Sequence, residues 1–199
     1  QCFYDCPNLT TVTLPAGATM NMNNAPFAYC GKLTSVTLPG TLEGTSNAGA
    51  FAVEGESERN LSVSFSGSRA VFDLHTKPAA ANLADATINC FVGSTTVQDG
   101  NGVIYLLCED AEGNEYYTLV GFYDTVNNPD DGVTPVAGYT IPLTYNNIPI
   151  KAIGEAVFNA NAYVNEDIAN WLGSSLGAIV LEGGATGTNI ESIGNYNYV

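Results

Sequence analysis

A thirteen-residue pattern occurs twice at the start of the chain and restricts its fold more than any other feature. Phe3-Tyr-Asp-Cys6-Pro-Asn-Leu9-Thr-Thr-Val12-Thr-Leu14-Pro15 recurs as Phe27-Ala-Tyr-Cys30-Gly-Lys-Leu33-Thr-Ser-Val36-Thr-Leu38-Pro39. The shift is 24 residues, and eight of the thirteen positions are identical. A third copy opens on the same shift at Ala50-Phe51, is interrupted by the acidic run Glu54-Gly-Glu-Ser-Glu-Arg59, and resumes at Asn60-Leu-Ser-Val-Ser-Phe65. Within a copy, Thr11–Leu14 alternates polar and apolar, the period of a strand. Val12 and Leu14 then point inward, and Thr11 and Thr13 face water. Phe3 and Leu9 fill the core, and Pro15 and Pro39 end the strands because proline has no N–H for a ladder. A single copy cannot bury its apolar face alone, so the pattern predicts stacked coils sharing a parallel sheet and one continuous core.

Cys6 and Cys30 fall at equivalent positions and stack in adjacent coils, about 4.8 Å apart on neighbouring strands. The five cysteines are an odd number, so at least one thiol is unpaired. Buried inert thiols and disulfides both remain open. No C-x-x-C occurs and there is one histidine, which argues against a zinc finger.

The pattern A-F-x-x-C-x-x-L-x-x-V-x-L-P resembles the BspA-type leucine-rich repeats of secreted and surface proteins of bacteria and some protists. Phe3–Pro15 and Phe27–Pro39 carry the likeness clearly, and Phe51–Phe65 carries a weaker copy. Ile153-Gly154-Glu-Ala-Val-Phe158 and Ile190-Glu-Ser-Ile193-Gly194 are similar to the family's Ile-Gly-x-x-Ala-Phe turn, although Asn195-Tyr-Asn-Tyr198 replaces Ala-Phe in the second. The resemblance implies a β-rich α/β solenoid, a right-handed leucine-rich-repeat coil stack. It also implies adhesion to host or neighbouring-cell components.

Three segments follow from the pattern. Residues 1–92 form a repeat array whose last coils, from Ser66 on, are degenerate; Ala70-Val-Phe72 reads as the start of a further coil, and Asp85–Phe91 reads as a strand edge. Residues 93–150 hold turns at Gln98–Gly102 and Glu109–Asn114 between the runs Val103–Cys108 and Tyr116–Val120, a β-hairpin that joins or caps arrays. Tyr139–Pro142 and Ile148–Ile153 then lead to residues 151–199, a second, truncated array. One short helix is expected at Asn165–Leu172, with Asn165 as N-cap and Ile168, Trp171 and Leu172 on one face. Ala178–Leu181 reads as a buried strand.

Chemistry is sparse. Five Lys and Arg against twenty Asp and Glu give a net charge of −15, which excludes sequence-independent binding to nucleic acid. The apolar runs fall far short of a bilayer span, so no membrane insertion is expected. His75, in Asp73-Leu-His-Thr-Lys77, has no nucleophile motif beside it and reads as a surface or locally hydrogen-bonded residue. No catalytic residue, metal ligand or cofactor is assigned. Asp124–Gly132 and Asp99–Asn101 offer oxygen atoms for a weak Ca²⁺ site, but the same residue types also build ordinary turns.

The remaining feature is a surface. Thr11, Ser35 and Ser62 line up in one outward column, and Thr13, Thr37 and Ser64 in another. The ladder reads either as a binding face or as a solvated sheet face. The first coil begins in mid-pattern and neither end carries a cap, so the sequence predicts a piece of a longer chain or ends covered by neighbouring molecules. The expected function is a non-enzymatic secreted or cell-surface protein that binds a protein partner. The alternative is a subunit of an extracellular fibre or layer that self-associates through open solenoid ends.

Overall fold

Two stretches of chain form separate compact units, Gln1–Gly93 and Ser94–Val199. The structure is a computed structural model that describes residues 2–15, 17–45, 49–53, 60–76, 83, 85–100, 102–122, 138–163, 166–170, 172–173, 176–184 and 189–197. The described chain is mostly β, arranged in several small sheets with few helices. The acidic run 54–59, the turn 124–132, Lys77, Asn101, Asn165 and Trp171 lie outside the described residues.

In the first unit the repeat copies become strands in register. Strand β1 spans Thr11–Thr13, β2 Thr19–Asn21, β3 Ser35–Leu38, β4 Thr41–Glu43 and β5 Ser62–Phe65; helix α1 spans Arg69–Thr76 and β6 spans Thr87–Asn89. The main sheet has the order β1-β3-β5-β6, all parallel, and β2 pairs with β4 alongside it. Val12 faces Val36, Val36 faces Val63, and Val63 faces Ile88, so one apolar column runs through the core. The rings of Phe3, Phe27 and Phe51 form a second column, with centroids 5.4 Å and 4.9 Å apart and near-parallel planes. The backbone reaches Phe27 and Phe51 through a left-handed turn two residues earlier, at Ala25 (φ 48°) and at Gly49 (φ 78°). Glycine adopts that conformation without steric cost, whereas alanine does not.

The thiols follow the copies too. The Cys30 thiol is buried and donates to the Phe3 carbonyl oxygen at 2.9 Å, tying one copy to the next. All five cysteines are free thiols.

Helix α1 corrects one sequence expectation. Ala70-Val-Phe72 is the first half of the helix, Phe72 packs between Phe51 and Phe65, and the chain goes on to β6, the next strand of the parallel sheet. The polar residues that follow are not at the surface, because Asp73, His75 and Thr76 are all buried. Each finds a partner. His75 Nδ1 donates to the Gly44 carbonyl, the Thr76 hydroxyl donates to the Phe72 carbonyl at 2.7 Å, and Asp73 accepts from Arg69. The Ser68 hydroxyl accepts the Val71 N–H at 3.2 Å, which satisfies one open donor at the helix start.

In the second unit β7 spans Thr96–Gln98, β8 Val103–Glu109, β9 Glu115–Phe122, β10 Gly138–Ile141, β11 Thr144–Tyr145 and β12 Ile148–Ile153; helix α2 spans Glu166–Asn170, β13 Ala178–Leu181 and β14 Ser192–Ile193. The predicted hairpin is present, since β8 and β9 pair antiparallel across the Glu109–Glu115 turn. They share one sheet with β12 in the order β11-β12-β9-β8-β7, and β14 adds to β12. Strands β10 and β13 form a parallel pair of their own. With α1 and α2 both present, the expectation of one short helix is corrected. A 3-10 turn at Ala160–Ala162 is capped by Asn159, whose side chain accepts the Asn161 N–H. The core gathers Tyr105, Tyr117, Leu119, Phe122, Ile141, Ile150, Ile153 and Phe158.

A second periodicity, unread in the sequence, appears here. Gly138–Ile141 pairs with Ala178–Leu181 and Ile153 pairs with Ile193, both at a shift of 40 residues. The left-handed turn also recurs, at Ala156 (φ 58°) and Tyr196 (φ 60°). Each copy thus carries a strand, a second strand and a turn, as the first two copies of the first unit do. Strand β13 forms where expected, but it is not buried: Ile179, Val180 and Leu181 are all exposed.

Candidate functional site

The six ladder residues lie on one sheet face. Parallel register places Thr11 beside Ser35 and Ser35 beside Ser62; Thr13 stands beside Thr37 and Thr37 beside Ser64. Residues i and i+2 of a strand share a face, so the alternation that buries Val12, Val36 and Val63 turns all six hydroxyls the other way. Thr11, Thr13 and Ser62 are exposed, while Ser35, Thr37 and Ser64 are half-buried. Parallel neighbours are about 4.8 Å apart and i, i+2 neighbours about 6.6 Å apart, so the oxygens form a two-column grid.

The grid is one strand wider than the sequence indicated. Strand β6 adds Thr87 beside Ser62 and Asn89 beside Ser64. Thr87-Ile-Asn89 has the polar-apolar-polar signal, but it stands 25 residues after Ser62 and lacks the leucine and proline that mark the earlier copies. Along the start of the strands, Thr34 Oγ1 donates to the Thr10 carbonyl at 3.2 Å, and Lys32 Nζ donates to Asn8 Oδ1 at 3.1 Å. These bonds link successive copies and fix the edge of the grid. None of the eight grid residues carries a charge, in a chain whose net charge is −15.

A second cluster sits under α1. Arg69 Nε donates to Asp73 Oδ1 at 2.8 Å, and Cys90 lies close enough to sense both charges. Burial pushes the Asp73 carboxyl up to about 6, against the opposing pull of the Arg69 guanidinium. Burial likewise pushes the Cys90 thiol up to about 11, so it stays protonated at neutral pH and is a poor nucleophile. In the second unit, burial raises Tyr139 to about 12 and holds the Tyr105 phenol well above its ordinary value; Tyr105 lies against Asp99 at 3.5 Å. Asp99 also accepts the Val103 N–H at 2.9 Å, so this carboxylate closes a turn.

Among the described residues no group of three or more His, Cys, Asp or Glu side chains comes together to hold a metal ion. No described helix is long and apolar enough to cross a membrane. The chain matches no family model, no curated protein and no solved structure.

Proposed function

We propose that this chain is a leucine-rich-repeat solenoid of the BspA-like kind, secreted or held at a cell surface, which binds a protein partner and catalyses no reaction. The observation that supports it is the neutral hydroxyl grid of Thr11, Thr13, Ser35, Thr37, Ser62 and Ser64, extended by Thr87 and Asn89. A regular array of donors and acceptors on a parallel sheet suits an extended main chain, which offers polar groups at regular spacing. Rigidity matters because ordering a face on binding costs affinity. Here the strands are locked from behind by the valine and phenylalanine columns.

The test is selection of linear peptides from a phage-displayed library on the intact chain, followed by binding to two variants. Ser35→Lys with Thr37→Lys places two long cations in the middle of the grid; Asn161→Lys changes an exposed residue of the other unit. Clones that lose at least tenfold in affinity on the first variant and none on the second support the reading. Clones that bind both equally refute it.

A second reading, self-association, is favoured by the exposed apolar residues of β13.

A further inference from the structure

We infer that the partner segment which crosses the hydroxyl grid is a polyproline-II chain, read at every third residue, with an acidic side chain on Lys32 and a basic one on Asp85. This deepens the grid reading of the proposed function and rests on it.

A row of exposed residues runs along the start of the strands. In each copy it is the residue just before a side chain turned to the core: Asn8 before Leu9, Lys32 before Leu33, Asn60 before Leu61 and Asp85 before Ala86. Leu33 and Leu61 belong to the core, and Leu9 and Ala86 pack against it, so the four preceding residues emerge on the solvent side. The row reads neutral, positive, neutral, negative. Lys32 Nζ donates to Asn8 Oδ1 at 3.1 Å, which holds the ammonium at this edge of the grid. Among the described residues, Arg69 and Lys151 each pair with carboxylates, and Lys32 pairs with none. In a chain of twenty acids and five bases, a cation left in this way can take a carboxylate from outside.

Spacing selects the conformation of what lies across. Lys32 leads into β3 and Asp85 into β6, with β5 between those strands, so the two charges stand two strands apart. Two strand spacings are about 9.6 Å. A polyproline-II chain has three residues per turn and rises about 3.1 Å per residue, so residues i and i+3 share a face about 9.3 Å apart. A β segment brings i and i+2 to one face about 6.6 Å apart, which matches neither one strand spacing nor two. The grid has the same two-strand repeat, from Thr11 to Ser62 and from Ser35 to Thr87 in one column, and from Thr13 to Ser64 and from Thr37 to Asn89 in the other. Its four strands span about 14 Å, the length of about five residues of such a chain.

The hydrogen-bonding chemistry agrees with the spacing. A polyproline-II backbone makes no internal hydrogen bonds, so its carbonyl oxygens are open acceptors. Seven of the eight grid residues are Ser or Thr, whose hydroxyls donate, and the Asn89 amide donates as well. Proline has no N–H to offer, and a face of hydroxyls needs none. No aromatic ring lies among the eight, so the face reads the backbone and the two charges rather than proline rings.

The experiment is fluorescence anisotropy of short labelled peptides titrated with the intact chain. One peptide, Pro-Pro-Asp-Pro-Pro-Lys-Pro-Pro, carries its charges three residues apart; two others carry them two and four apart on the same proline background. The first is expected to bind about fivefold tighter than either of the others at low salt, with the advantage shrinking at high salt. Lys32→Asp should weaken it about fivefold, and Lys32→Asp with Asp85→Lys should restore it, because the segment can lie in the opposite direction. Both positions are exposed, so neither change touches the core. No binding by any of the peptides, equal affinity for the three spacings, or a double variant no better than the single one overturns the proposal. So does a peptide with the same charges and spacing on a Thr-Val background that binds as tightly as the proline one. Library clones selected on the intact chain separate this failure from that of the grid reading. Clones that lose on Ser35→Lys with Thr37→Lys but ignore Lys32→Asp keep the grid as a binding face and sink only the polyproline-II segment; clones indifferent to both variants sink both.

Discussion

Replacing Asp73 by asparagine should change how the stability of the first unit depends on pH. The Asp73 side chain is 4% exposed, while its partner Arg69 is 50% exposed and reaches it at 2.8 Å. Water screens the half-exposed guanidinium, but it does not solvate the carboxylate. Burial therefore outweighs the ion pair, and the carboxyl is pushed from 3.8 up to about 6. A pKa raised on folding means that the folded state holds its proton more tightly. The stability from this group is fully present below the unfolded value of 3.8 and is lost as pH rises through about 6. That gap corresponds to about 3 kcal/mol, at about 1.4 kcal/mol per pH unit. The substituted amide cannot titrate and keeps nearly the same shape. The assay is urea unfolding of parent and Asp73→Asn, followed by circular dichroism, at several pH values from roughly 3.5 to roughly 8. The only tryptophan, Trp171, falls in the other stretch of chain, so its fluorescence reports that unit separately. The advantage of the variant over the parent should grow by about 3 kcal/mol across this range. Repulsion among the remaining charges changes for both proteins and largely cancels in the difference. A flat difference, or one that shrinks as pH rises, would refute the reasoning and show that Arg69 holds the carboxylate ionised.

Further outcomes follow from the packing. Phe51→Ala removes the middle of the ring column, where Phe51 is fully buried 4.9 Å from Phe27, and should cost about 3–5 kcal/mol in the same urea assay. Gly194→Ala would place a Cβ 2.6 Å from the Glu155 nitrogen and 2.7 Å from the Gly154 carbonyl carbon; both are backbone atoms and cannot step aside. Exchange at the Gly194 amide, which donates to Ile153, should speed up in that variant while the β8–β9 amides stay protected. A thiol-specific reagent should modify exposed Cys2 first and buried Cys30 only on unfolding, which mass spectrometry of timed digests reads directly.

How much of the fold was legible depends on whether local pattern or long-range packing decides each element. The Val-x-Leu-Pro copies are legible because alternation and proline act within a few residues, and the structure pairs Thr11, Ser35 and Ser62 as that alternation requires. The hairpin at β8 and β9 is legible for the same reason. Helix α1 is not. Ala70-Val-Phe72 reads as the start of a further coil without showing that it is helical, and Asp73 and His75 look like surface. They are buried because Arg69 and the Gly44 carbonyl, remote from that local pattern or outside it, supply their partners. The Thr87–Asn89 end of the grid was half legible, since its alternation is clear but its place beside Ser62 comes from stacking.

The sequence by itself determined the parallel copies, the inward column of Val12, Val36 and Val63, and the outward hydroxyls, because side-chain direction in a strand alternates residue by residue. Tertiary structure alone decided the 40-residue pairing of β10 with β13 and β12 with β14. It also decided that an apolar run such as Ile179-Val180-Leu181 stands exposed. An apolar strand is buried only if another layer or another copy is placed against it, and nothing in its own residues records whether one is.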